Sequence, residues 1–167
     1  MVESSAMHEQ WTNFFLGEAG AAAALTGLLV VAISININEI VGDRALAGRA
    51  GENVAILAGS LVAASLALIP VQDRPWLGLE VAAVGIFVWT IPVRTQITAV
   101  RQGLGKAAPT FRSRVFLTQV ATVPTIATGV LLATGQPAGY SVLAFGILAT
   151  FAVGILGAWV LLVEILR

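Results

Sequence analysis

The chain has no cysteine, and its one histidine is His8. The first absence excludes disulfides, thiolate nucleophiles and cysteine-ligated metals, and with a single imidazole a structural zinc site is not expected either. Charge is scarce as well. Asp, Glu, Lys and Arg make up 11% of the 167 residues, whereas soluble domains carry about 25%. With 57% of its residues apolar, the chain has too little polar surface for a water-soluble fold. Catalytic patterns are missing too. The serines have no histidine in an apolar segment to activate them, and no pair of intramembrane aspartates is available. The glycines follow neither the Walker nor the dinucleotide pattern. Neither enzyme activity nor a cofactor is expected.

What is present is a set of long apolar runs. They cover 14–37, 54–71, 76–93, 115–134 and 140–163, each close to the roughly 20 residues that cross a bilayer as a helix. The expectation is an all-α polytopic integral membrane protein, a bundle of five transmembrane helices forming one domain over 1–167. The first residues carry Glu3 and Glu9 but no Lys or Arg, unlike the basic start of a secretory signal, so the first helix is expected to be retained. Asp73, Arg74 and Pro75 mark one short turn and 135–139, Gly-Gln-Pro-Ala-Gly, another.

Five crossings put the termini on opposite sides and sort the connections into two sets. Arg44, Arg49, Arg94, Arg101, Lys106, Arg112, Arg114 and Arg167 fall in one set, and Arg74 in the other. Short loops rich in Lys and Arg stay in the cytoplasm, which predicts an outer N-terminus and a cytoplasmic C-terminus. Trp11, Trp76 and Tyr140 then lie at the outer interface, with Phe111, Phe116 and Trp159 at the inner one. The same rule, with attraction to anionic lipid, explains the basic segment 94–114 without nucleic acid. The segment after Ile33 places Ile37, Ile40 and Val41 on one helical face, so the first helix is expected to continue beyond the membrane.

Small residues recur at helical spacing. Gly20 and Gly27 on the first span, Gly59 on the second, and Gly146 and Gly154 on the fifth are candidate packing positions, within a chain or between copies. Length and span count are similar to those of the translocator protein family, but its Trp-Pro-rich signature is absent and no function follows. The Ala, Gly and Val-rich style looks like that of a small bacterial membrane protein, which implies the plasma membrane.

Charges within spans are costly and serve as the first functional candidates. Glu18 and Glu80 lie at matching depth near the outer side, four residues after Phe14 and Trp76 respectively. Together they suggest a cation-attracting mouth; the alternative is two hydrated carboxylates at the headgroups. On the fourth span Arg114, Thr118, Thr122 and Thr125 share a narrow sector, with Gln119 at its margin and Pro124 beside it. Such a stripe either lines a wet path or bonds back to its own helix. The expected function is a small oligomeric channel or transporter for an inorganic cation or small solute. The alternative is a non-transporting scaffold, regulatory subunit or lipid-binding protein, with the bilayer as a partner in both cases.

Overall fold

A computed structural model describes the backbone of residues 2–70, 72–101 and 109–165, and the side chains of 9–70, 72–101 and 111–163. Lys106 and Arg167 lie outside the described residues, as does the Glu164 side chain. The elements are α1 (Val2–Ile35), α2 (Ile37–Gly42), α3 (Arg44–Leu66), α4 (Arg74–Arg101), α5 (Pro109–Ala133) and α6 (Ala138–Ile165). The all-α expectation is met.

The count of spans is corrected. Among the described residues four helices are long and apolar enough to cross a membrane, not five: Glu9–Ile35, Arg74–Arg101, Phe111–Ala133 and Ala138–Val163. The expected second span, 54–71, falls on α3, which ends at Leu66 and begins at Arg44. Its first turns carry Arg49, Glu52 and Asn53, leaving 54–66 as its apolar part. The physical reason is placement. α3 packs against α1, α4 and α6, so much of its surface faces protein, and a helix sheltered from lipid can keep polar residues.

Other boundaries also move. α1 does not run on without interruption: it breaks at Asn36, whose side-chain amide donates to the Ala32 carbonyl at 2.9 Å, and α2 follows as a separate short helix. α4 continues through Pro92 to Arg101, so Arg94 and Arg101 sit on a helix and not in a loop. α5 closes with Gly135 at φ 78°, its N–H bonded to Leu132 O and that of Gln136 to Leu131 O. This pair of bonds is a Schellman cap, which needs a residue that tolerates the left-handed region.

Two apolar clusters mark the ends of the bundle. At one end Phe15 of α1, Ala63 and Ala64 of α3, Leu77 and Val81 of α4, Leu132 of α5 and Leu143 of α6 are buried together. Trp11 stacks on Tyr140 there, with ring centroids 5.9 Å apart. At the other end Ile40, Ala50 and Leu161 pack together. α1, α4 and α6 therefore run one way and α3 and α5 the other. Arg44, Arg49, Arg94, Arg101, Arg112 and Arg114 all lie toward the second end, called here the basic end.

Small residues set the closest approaches. A Cβ on Gly78 would run into the α5 backbone at Ala133, and one on Gly129 would stand 2.6 Å from the Ala82 backbone nitrogen. Without hydrophobic drive in lipid, such backbone contact is how helices gain dispersion energy.

Candidate polar site

The site begins at the basic end with Glu52. It lies four residues before Ile56 and eight before Ser60, on the buried face of α3, and only 6% of it is exposed. Its carboxylate receives Arg114 of α5, at 2.5 Å, and the Thr95 hydroxyl of α4. One side chain thus ties three helices.

From Arg114 the polar residues continue along α5 into the bundle. Thr118 and Thr122 are both buried, and their hydroxyls donate to the carbonyls of Arg114 and Thr118 at 2.9 and 2.8 Å. Thr125 is half-buried, and Thr128 is fully buried with a hydroxyl that lacks a hydrogen-bond partner. Pro124 interrupts this face, since it has no N–H for the carbonyl of Val120. From α6, Thr150 donates both to Ala121 O across the interface, at 3.0 Å, and to its own Gly146 O. Ser60 of α3 donates to Leu57 O at 2.8 Å. Where these helices meet, Ser60, Thr122, Thr125 and Thr150 line a space of about 10 Å³. That is close to the smallest volume that holds a water.

Gln119 stands beside this column. Its side-chain oxygen accepts from the Trp89 indole at 2.8 Å, a bond between α5 and α4. The Gln96 amide nitrogen on α4 is buried without a partner. Toward the opposite end the column meets the apolar cluster around Leu77, Val81 and Leu132.

The two carboxylates of the expected mouth are placed separately. Glu18 is half-buried on α1, with one carboxylate oxygen lacking a partner, and Glu80 on α4 receives the Gln72 amide. α1 packs chiefly on α3, and α4 on α5 and α3, and no hydrogen bond joins the two acids. The candidate glycines divide into two groups. Gly59 seats Val88, with 2.5 Å from an added Cβ to the nearest methyl; Gly154 seats Leu57, and Gly146 lies against Pro124. Gly20 and Gly27 have nothing within 4 Å.

Glu52 was missed as a site residue because its charge placed it in a loop. Its spacing to Ile56, Gly59 and Ala63 carries the signal, since all four fall on one helical face. Among the described residues no three His, Cys, Asp or Glu side chains gather to hold a metal. No family model, curated protein or solved structure matches the chain.

Proposed function

We propose that the chain is a small membrane channel or transporter, working as a homo-oligomer in the bacterial plasma membrane and passing a cation or small solute. The observation that carries this reading is the buried polar column from Glu52 and Arg114 through Thr118 and Thr122 to Thr150. An ion pair and a row of hydroxyls inside otherwise apolar helices are expensive to keep, and polar groups buried at membrane depth commonly mark ion and solute pathways. Glu18 and Glu80 add negative charge toward the other end, where a cation would enter. The reading carries an orientation: N-terminus outside, C-terminus in the cytoplasm, with α3 crossing as a helix sheltered by the other four.

A second reading is favoured by a different feature. Toward the basic end α1 and α6 part over Leu57 to leave an apolar groove of about 320 Å³, lined by Leu25, Leu28, Leu29, Ile155, Trp159 and Leu162 among others. Gly17, Gly20 and Gly27 of α1 face open space as well. A scaffold, regulatory subunit or lipid-binding protein would use such surfaces.

Reconstitution separates the two. Purified protein in liposomes, assayed for Na⁺, K⁺ and proton flux with and without a membrane potential, is expected to exceed empty vesicles. Absence of flux for all of these, with lipid or a partner protein co-purifying in fixed ratio, would remove the transport reading in favour of the second.

A further inference from the structure

The polar column narrows to one point, the junction of α3, α4, α5 and α6. Three of the hydroxyls there already spend their hydrogens: Ser60 on Leu57 O, Thr122 on Thr118 O, and Thr150 on Ala121 O and Gly146 O. Their oxygens are left as acceptors, while the Thr125 hydroxyl, also in the lining, keeps its hydrogen to donate. A guest that donates to the first three and can accept from the fourth suits the junction, and with about 10 Å³ it must be no larger than one water. A metal cation fits poorly. Neutral hydroxyls replace little of an ion's hydration, and burying a bare charge costs far more than burying a water. The apolar wall includes Ile56 of α3, Ala121 of α5, and Val84 and Val88 of α4, and a Val88 methyl group stands 2.5 Å from where a Cβ on Gly59 would be.

We propose that this junction is a one-water site and the constriction that holds the path shut, with Val88 over Gly59 setting its size. The inference rests on the transport reading. In this arrangement the water donates to the hydroxyl oxygens of different helices, and an ion passes only when the wall at Val88 retreats. The constriction thus lies within one chain, whatever its oligomeric state.

Val88→Ala tests it directly, because removing two methyl groups enlarges the space while leaving every hydroxyl in place. Flux of Na⁺ or K⁺ in proteoliposomes is expected to rise severalfold over the parent. Adding Gly59→Ala to Val88→Ala returns a methyl group to the same wall and is expected to bring flux back toward the parent, a reversal that general loosening of the fold would not give. Ile56→Val, a milder enlargement of the same lining, replaces Val88→Ala if that variant does not fold. In a high-resolution structure, one solvent feature is expected within hydrogen-bond distance of Thr150 Oγ1; a dry junction would overturn the water site. Parent-level flux in the enlarged variants of a conducting protein sinks the constriction but spares the transport reading. No flux in parent or variants removes both.

Discussion

At the scale of single residues, the Glu52 and Arg114 pair is the most consequential contact in the chain, because each partner has a different escape if the other is lost. Arg114 is 29% exposed along its side chain and can turn toward water, whereas the Glu52 side chain is 8% exposed and cannot. Glu52→Gln leaves Arg114 free to reach water and is therefore expected to cost about 1.5–3 kcal/mol, the worth of a hydrogen bond to a charged group. Arg114→Gln leaves the buried carboxyl without its cation and is expected to cost more, about 3–5 kcal/mol, the range for breaking a buried pair from the side that cannot reach water. Denaturation midpoints in detergent measure both. Equal losses would mean that the pair is not coupled as described. The residue was legible in sequence only in part. Arg114 announced itself through its register with Thr118 and Thr122, but Glu52 marked the edge of an apolar run, and a search for apolar runs stops at charges.

Among elements, the tightest seam joins α4 to α5, where Gly78 and Gly129 let the two backbones meet. Ala at either position must push helices apart, and overpacking of this kind costs about 1–3 kcal/mol. Gly20→Ala and Gly27→Ala meet nothing within 4 Å and should be neutral or slightly stabilising, since Ala is the better helix former by up to about 1 kcal/mol. Thermal unfolding in detergent distinguishes the two classes, and similar losses at Gly20 and Gly78 would show that the seam is misassigned. If Gly20→Ala leaves stability intact but changes assembly size, the open face of α1 is the contact between copies. The search for long apolar runs found α1, α4, α5 and α6, since each presents much of its surface outward and is apolar around most of its circumference. It could not find the extent of α3. A helix surrounded by other helices is under no such demand, so its composition resembles that of a loop followed by a short apolar run. The separate α2 was hidden for another reason: the break at Asn36 is a local hydrogen-bond choice that leaves the apolar spacing around it unchanged.

For the molecule as a whole, whether α3 crosses the bilayer decides the orientation of everything after it. α3 spans the distance between the two apolar clusters, with Ala50 in one and Ala63 in the other. At 1.5 Å per residue its 23 residues extend about 34 Å, enough for a hydrocarbon core of about 30 Å. If it crosses, the start of α3 and the end of α4 share one side, and the turn between α5 and α6 lies on the other. If it does not, α4 begins on the side where α1 ended, and the end of α4 emerges opposite the start of α3. The lack of native cysteine makes this easy to read, because each introduced thiol is the only one present. Ala45→Cys, Thr98→Cys and Gln136→Cys are at exposed positions and can be labelled in intact cells with an impermeant maleimide, before and after permeabilisation. Ala45→Cys and Thr98→Cys are expected to react only after permeabilisation, because the arginines around them favour the cytoplasm. Gln136→Cys is expected to react at once. Labelling of Ala45→Cys and Thr98→Cys from opposite sides would establish α3 as a helix that does not cross. Such labelling would also remove the mouth proposed for Glu18 and Glu80, since α1 and α4, which begin at one end of the bundle, would have to begin on opposite faces of the membrane.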